Sequence, residues 1–535
     1  SLASQALGAG HEVKVLNLSA YPWPEVEHCL TRLQADLWGL SCWTANRRGV
    51  ALVAEHIRAH HPAAHIVVGG PHATALGPEL LAHHPAIDTV TVGEAEVTFL
   101  ELAARLAAKR STQGLPGTIY RDGKRVKRGP ARASIRKLDE LSCPHEHFTS
   151  HVMMTSRGCP WACTFCGAES SWGRGFRAHS VPYVLDALER AIERLPVKMI
   201  AIKDDTFTTD RKRVLALCRG IRERGLRFLW SCDTRVDMLD AELVREMRLA
   251  GCQRLSLGVE TGAPAILKTI DKKITVDDIV KATELAKQHG IQVRFFMMLG
   301  NRGETAETFQ QTLDFLEVAR PHETIFSCLS IYPGTTDFRD AEAAGWLDRE
   351  VFFSDTFQEL KTPFDASEEV TEMMGAWFAE HGGLQHLHRD GIDDYLAILE
   401  RLGDHHAAHL DLGGAYLQAG ELDLAERHVR RALDLKLPTP GVAHNYLACI
   451  AFERGNVQAM MDHLSEGADQ DPQHHVLIRN VKTARAWFRR GGPAQNLPLE
   501  LVAHHDFQVL ERTVQPTLPG PLSPDFVAWP SDGQG

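Results

Sequence analysis

Between residues 152 and 335 short apolar runs alternate with amphipathic segments, and this alternation limits the possible folds more than any other feature. The runs at 152–154, 198–203, 227–232, 254–259, 291–298 and 324–330 are too short for buried helices and read as strands. The segments between them carry helix signals. Helix 180–195 starts at the N-cap Ser180 and sets Val184, Leu185, Leu188, Ile192 and Leu195 on one face. Asp210 and Asp240 start helices 210–224 and 240–250. Thr275 with Asp278 reads as a capping box for 276–289, and 304–319 is the last helix. Strands that alternate with helices lie parallel, because each helix returns the chain to the starting edge. Six such units predict an open, partial (β/α)6 barrel. In parallel barrels ligands sit at the carboxyl ends of the strands.

The loop after the first strand, Ser156-Arg157-Gly158-Cys159-Pro160-Trp161-Ala162-Cys163-Thr164-Phe165-Cys166-Gly167, falls at that end. It holds three of the eleven cysteines at C-x3-C-x2-C spacing. Three thiolates this close suit three corners of a [4Fe-4S] cube and leave one iron open to a ligand. A structural zinc ion wants four protein ligands, and no partner C-x2-C lies nearby. The other strand ends are Asp204-Asp205-Thr206, Asp233-Thr234-Arg235, Gly258-Val259-Glu260-Thr261, Leu299-Gly300 and Tyr332-Pro333-Gly334-Thr335.

Residues 1–110 repeat the alternation on a smaller scale. A starting helix precedes expected strands at 12–18, 37–42, 65–68 and 89–92, with helices at 50–59 and 97–108. This predicts a doubly wound, Rossmann-like sheet. Such a sheet starts with a strand, so one strand and its loop are expected before residue 1. Ligands of these sheets lie at the carboxyl edge, here Gly39–Arg48, Gly69–Thr74 and Gly93-Glu94. Paired glycines there either let backbone approach a flat ligand or simply make turns.

These residues carry two resemblances. The Cys159–Cys166 loop resembles the cluster loop of the radical S-adenosylmethionine (SAM) enzymes, and the run 152–335 resembles the radical SAM half of their cobalamin-dependent members. Gly-Leu-Ser at 39–41 with Val-Val-Gly-Gly at 67–70 resembles the cobalamin-binding domain ahead of many of them. The first resemblance implies that Cys159, Cys163 and Cys166 ligate the cluster. It implies too that the open iron holds SAM by its amino and carboxylate groups, with Phe165 beside the adenine. A carboxylate suits the SAM ammonium and ribose diol, and a forked arginine suits its carboxylate. That nominates Asp204 or Asp205, Glu260 and Arg235. The second resemblance implies that Ser41, Gly69 and Gly70 line the cobalamin slot, and that loop 43–48 covers the lower face of cobalt with Arg47 or Arg48 against it. One departure is Asn301-Arg302-Gly303-Glu304, where the family commonly has Leu-Pro-Gly-Glu.

Residues 111–150 are expected as a linker with an Asp122-Gly123 hairpin whose basic residues read as a solvated edge. Residues 336–400 read as a helical extension rich in aromatics, with Trp346, Phe352, Phe353, Phe357, Phe364, Trp377 and Phe378 serving a core or a flat substrate. Within 401–490, Leu412-Gly413, Tyr416 and Gly420 recur as Leu447-Ala448, Ala451 and Gly455, an offset of 35 residues that resembles two tetratricopeptide repeats. Two repeats are few for a free solenoid, so they are expected to pack on the barrel or on a partner. Residues 491–535 read as an extended tail. The fold class is therefore α/β multidomain with an all-α C-terminal region. A net charge of −11 argues against nonspecific nucleic-acid binding. No apolar run approaches the ~18 residues that span a membrane. The remaining cysteines show no paired spacing, which suits the reducing cytoplasm and an oxygen-sensitive cluster.

Together the parts resemble a cobalamin-dependent radical SAM methyltransferase. The resemblance implies a [4Fe-4S] cluster, SAM, cobalamin and an external reductant. It implies that a methyl group passes from SAM through methylcobalamin to a carbon of a small molecule. The layout, with a short repeat domain last, is most similar to the tryptophan 2-C-methyltransferases of thiopeptide antibiotic pathways. L-Tryptophan is thus the expected substrate and 2-methyltryptophan the product. Two other functions fit the same sequence: oxidation or cyclisation by a cobalamin radical SAM enzyme, and a repeat-bearing scaffold with a vestigial cluster.

Overall fold

A computed structural model describes residues 1–19, 21–354, 366–381, 388–491 and 499. The first sheet runs β1 (Leu37–Ser41), β2 (His65–Gly69), β3 (Thr89–Thr91), β4 (Thr118–Asp122) and β5 (Arg125–Arg128). The first three are parallel, with Leu37 opposite His65 and Val67 opposite Thr89. Helices Arg47–His60, Pro71–His83 and Glu96–Ala107 follow them in turn. Ile66, Val68, Val90 and Ile119 from the strands meet Ala54, Ile57 and Leu80 from the helices in one core.

Two expectations are corrected here. Segment 12–18 forms no strand. Leu16 and Leu18 do rest against the core of the sheet. No described strand lies between this segment and β1, so the segment has no ladder to join. Strand propensity is completed by a neighbour, not by the segment alone. The hairpin is also not a linker. β4 pairs antiparallel with β3, Thr89 opposite Tyr120, and extends the sheet. Its outer strand β5 is exposed throughout and basic, which blunts the edge.

The second sheet begins with β6 (Val152–Met153), followed by a short antiparallel pair, β7 (Ser156–Arg157) and β8 (Arg177–Ala178). It continues with β9 (Met199–Ile202), β10 (Leu229–Thr234), β11 (Cys252–Glu260), β12 (Gln292–Leu299) and β13 (Glu323–Cys328). Its six strands are parallel and neighbour one another in chain order. Each connecting helix returns the chain to the starting edge, so each new strand lies beside the last. The connecting helices start where expected: Ser180, Asp210 and Asp240 accept backbone N–H groups, and Thr275 and Asp278 cap reciprocally.

Side chains alternate across these strands. Ile202, Cys232, Leu257, Val259, Phe295 and Met297 pack on the helices. Their neighbours in sequence therefore line the concave side, in register: Ser231 opposite Arg254, and Asp233 opposite Ser256. At the amino ends Arg294 Nε donates to Glu323 Oε2 at 2.6 Å and closes the floor.

Helices Thr336–Ala343, Glu368–Glu380 and Ile392–Leu402 follow the barrel. Then come His406–Gln418, Leu422–Asp434, Pro440–Glu453, Val457–Gln470 and His475–Arg489. Leu410, Leu417, Val442 and Tyr446 join Val197, Met199 and Leu229 at the amino ends of β9 and β10. The repeats thus cap the bottom of the barrel, away from the cysteine loop. A fully buried Arg248 crosses this junction to Asp411 at 3.4 Å. Phe352 and Trp377 are core residues, whereas Trp346 is exposed. Phe357, Phe364 and the tail from 500 onward lie outside the described residues. Among the described residues no helix is long and apolar enough to cross a membrane.

Candidate cofactor and active site

Cys159, Cys163 and Cys166 are free thiols close enough for their charges to interact. Among the described residues only His322, His388 and Asp390 bring three ligand atoms within 4.8 Å of one another. The three sulfurs are therefore spread wider than a single-ion site and suit a larger body such as a cube. Arg235 Nη1 donates to Cys163 Sγ at 3.9 Å, and its guanidinium lies 4.5 Å from the Trp161 ring centre. Lys272 Nζ is 5.7 Å from the Phe165 ring. Burial pushes the Cys163 thiol up, and Lys272 and Arg235 pull it back. These cations lie where they would offset the charge of thiolates on this loop. The loop itself is fixed by Asp205, whose Oδ2 accepts the Gly158 N–H at 2.8 Å. Gly158 has φ 83°, and a Cβ there would sit 2.4 Å from the Gly175 carbonyl oxygen, so only glycine fits.

Two of the nominated SAM contacts are corrected. Asp204 is enclosed, not in the cleft. Its carboxylate accepts the N–H and O–H groups of Thr155 and Ser156 at 2.5–3.0 Å. Burial pushes its pKa up and those bonds pull it down. It ties the end of β9 to the start of the cysteine loop. The choice between the two aspartates therefore falls on Asp205, which is exposed. Arg235 has no open fork: Nε and Nη2 grip Asp237 at 2.9 and 3.1 Å, and Nη2 also donates to the Lys272 carbonyl at 2.8 Å. Glu260 keeps its nomination. It follows a register shift in β11, has φ 71°, and pairs with Lys272 at 2.8 Å. Such a backbone is strained for a side-chain-bearing residue and marks functional positions. Phe165 rests on Ala263, Ile266 and Ile270. Lys272 escaped sequence reasoning because it lies in a turn after helix Pro264–Thr269, outside any strand end. The unusual Asn301 preserves its turn. Its Nδ2 donates to Met298 O at 3.0 Å and Glu304 Oε1 at 3.2 Å, and Glu304 Oε2 accepts the Gly300 N–H at 2.7 Å.

At the carboxyl edge of the first sheet Ser41 is exposed. A Cβ on Gly69 would fall 2.5 Å from Thr91 Oγ1, and one on Gly70, at φ 105°, 2.6 Å from the Cys42 carbonyl oxygen. These glycines draw neighbouring strand ends together and leave a flat cradle, which fits a planar corrin. Arg47 is not aimed at that cradle. Nε donates to Phe352 O at 2.8 Å, Nη1 to Thr44 O at 3.0 Å and Nη2 to Ser354 O at 3.3 Å. It is a strut to the segment after the barrel, and this corrects its nomination. Arg48 and Trp43 are exposed on the same loop. His72 directly follows Gly70-Pro71, and a lone histidine carries little signal in a sequence. It is buried, with Nδ1 3.2 Å from Thr44 Oγ1. Burial and the nearby Arg47 lower its pKa to about 4, so it braces the loop as a neutral ring.

The two carboxyl edges are joined. Arg157, next to Gly158, pairs with Glu94 and Glu96, each at 2.7 Å, and Arg177 pairs with Glu94 at 2.8 Å. The Arg157, Glu94 and Glu96 side chains are only 7%, 4% and 8% exposed. The His322–His388–Asp390 triad lies at the opposite end of the barrel. The Val293 N–H donates to His322 Nδ1 at 3.0 Å, so Nε2 holds the proton that it donates to Asp390 at 3.1 Å. The triad is a hydrogen-bonded tie.

Residues 153–316 match the model of the radical SAM superfamily, and residues 1–103 match the B12 binding domain. Fold and site thus define a radical SAM enzyme with a cobalamin-binding domain ahead of its barrel. An uncharacterized methyltransferase of Pyrococcus horikoshii is 30% identical over 339 residues, 61% of this chain and 74% of that protein. The chain belongs to the cobalamin-dependent radical SAM methyltransferases, whose cofactors are a [4Fe-4S] cluster, SAM and cobalamin. The anaerobic magnesium-protoporphyrin IX monomethyl ester cyclase of Rubrivivax gelatinosus is 28% identical over 355 residues, 63% of this chain. The chain spans only 60% of that relative. Among solved structures, the radical SAM methyltransferase TsrM of Kitasatospora setae, with cobalamin and a [4Fe-4S] cluster bound, aligns with TM-score 0.57 at 18% identity. That alignment covers 72% of this chain and 83% of TsrM, and it speaks for the fold.

Proposed function

We propose that this chain is a C-methyltransferase that converts L-tryptophan to 2-methyltryptophan in antibiotic biosynthesis. The observation that carries the reading is the buried junction of Arg157 with Glu94 and Glu96, which joins the cobalamin edge to the cluster edge. Fixing two sites across one cleft removes the entropic cost of bringing reactants together. Bound together, the cluster, SAM and cobalamin supply electrons, a methyl donor and a methyl carrier. The chain's own residues then hold and orient. Cys159, Cys163 and Cys166 hold the cluster, while Arg235 and Lys272 offset its charge. Asp205 and Glu260 offer carboxylates to the ammonium and diol of SAM, and Phe165 offers a ring to its adenine. Ser41, Gly69 and Gly70 would cradle the corrin, and His72 and Arg47 brace loop 43–48 at the same edge. Two observations support an indole substrate. Val152 and Met154 are exposed apolar side chains at the end of β6 beside the cluster loop. The fold is also that of TsrM, whose structure was solved with tryptophan and a SAM analogue.

The test is one anaerobic incubation of the reconstituted enzyme with cobalamin, reductant, methyl-labelled SAM and L-tryptophan. Labelled 2-methyltryptophan with S-adenosylhomocysteine is expected. Both 5′-deoxyadenosine and S-adenosylhomocysteine without methyltryptophan would keep the class and discard tryptophan. Deoxyadenosine alone would favour oxidation or cyclisation, and the Rubrivivax relative is named a cyclase. None of these products would favour the scaffold reading.

A further inference from the structure

Among the described residues, the concave side of the barrel holds one charged pair that neither the cluster loop nor the floor uses. Lys203 directly follows β9, and Asp233 is the next-to-last residue of β10. Their chain neighbours Ile202 and Cys232 pack on the helices, so by alternation both side chains project into the barrel. Lys203 Nζ lies 3.3 and 3.2 Å from the two carboxylate oxygens of Asp233. The pair is 38% and 26% exposed, whereas the Arg294–Glu323 pair below it is 8% and 7% exposed. Asp204 and Arg235, their neighbours toward the cysteine loop, are committed to protein partners. The pair therefore stands where a substrate inside the barrel would meet it.

An exposed ion pair contributes little to stability, so stability does not explain a charged pair inside a barrel. Its hydrogen-bonding capacity is also unspent. An ammonium has three protons, and only two directions are taken by Asp233. Each carboxylate oxygen has a further lone pair. We infer that Lys203 and Asp233 form the recognition site for the zwitterionic head of an α-amino acid, Lys203 taking the carboxylate and Asp233 the ammonium. Adjacent opposite charges on the wall match adjacent opposite charges on the ligand, while a ligand with one charge leaves one wall charge poorly served. The inference rests on the small-molecule methyl-transfer reading and narrows its substrate class to free amino acids. Both residues are specificity determinants and need not touch the reacting carbon.

The test uses the full chain with cluster and cobalamin loaded. Equilibrium binding and KM are measured for L-tryptophan, tryptamine (no carboxylate) and indole-3-propionate (no ammonium), in wild type, Lys203→Met, Lys203→Arg and Asp233→Asn. Each lost charge-assisted contact weakens binding by about 10- to 100-fold. Wild type is expected to prefer L-tryptophan over both analogues by that factor. Lys203→Met should abolish the preference over tryptamine, Asp233→Asn the preference over indole-3-propionate, and Lys203→Arg should restore much of it. Iron and cobalamin content should match wild type in every variant. If wild type ignores tryptophan but binds another common amino acid with the same dependence on both residues, the inference stands and tryptophan falls. If tryptophan is methylated but the analogues bind equally well, or the variants leave KM unchanged, the inference is overturned and the tryptophan reading survives. If no amino acid binds, the inference is overturned.

Discussion

Replacing Arg157 with Met tests the claim that a buried charge network sets the domain arrangement. Arg157 faces Glu94 and Glu96 at 2.7 Å each, and all three side chains are almost fully enclosed. Met keeps most of the volume but leaves two carboxylates in a site built for a cation, one of them still served by Arg177. Breaking a buried pair costs about 3–5 kcal/mol. At ~2–4 °C per kcal/mol for units of this size, the first thermal transition should fall by roughly 6–20 °C near pH 7.5. The pH dependence is the sharper test. Burial pushes Glu96 up, but Arg157 and the hydrogen bonds from Ser1 and Arg157 outweigh it, so its carboxyl sits below the ordinary value. Its contribution to wild type is therefore complete above the unfolded glutamate value and is lost as pH falls through the lower folded value. In the variant the cation is gone and burial dominates, so Glu96 takes up a proton on mild acidification and the penalty relaxes. The wild-type-minus-variant gap should be widest near pH 8 and shrink toward pH 5. Adding Glu96→Gln to the variant should recover part of the loss. Calorimetry across pH, with hydrogen exchange at residues 89–97 and 153–158, reads both effects. A gap below about 2 °C at pH 7.5, or one that widens in acid, would refute the reasoning.

Three further outcomes follow from the same geometry. Asp204→Asn puts an amide donor against four donor groups and should cost about 2–4 kcal/mol and most of the bound iron, whereas Asp205→Asn should keep the fold and weaken SAM binding; melting curves and iron assays separate them. Glu260→Gly relieves the strain of φ 71° but leaves the buried Lys272 ammonium without its carboxylate, so stability should fall by ~1–3 kcal/mol while SAM affinity drops, as read by melting curves and calorimetric titration. Trp43 is 58% exposed on the loop at the cobalamin edge, so cobalamin should quench its emission, and Trp43→Phe should remove that component of the titration.

Much of this was legible in the chain itself. The barrel helices begin at Ser180, Asp210, Asp240 and Thr275 as read, because capping is local chemistry that a short window reveals. Cys159, Cys163 and Cys166 could be picked out because a ligand set within eight residues carries its own geometry. The failures share a cause. Whether Asp204 or Asp205 faces the cleft depends on which way the chain turns after β9, and both carry the same side chain. Arg47 and Arg235 looked like ligands because a guanidinium advertises its donors but not its acceptors. Those acceptors, Phe352 O and Ser354 O for one and Asp237 with Lys272 O for the other, are visible only once the chain is folded. The hairpin at 118–128 showed its turn but not that Tyr120 would lie beside Thr89.

By itself the sequence determined the alternation of strands and helices in the barrel, the spacing of the three cysteines and the class of chemistry, because periodicity, capping and residue spacing act over a few residues. Tertiary structure alone decided which charged groups remain open to a ligand. Burial and pairing between segments distant in the chain enclosed Asp204, committed Arg47, Arg157 and Arg235, and left Asp205 and the Lys203–Asp233 pair facing solvent.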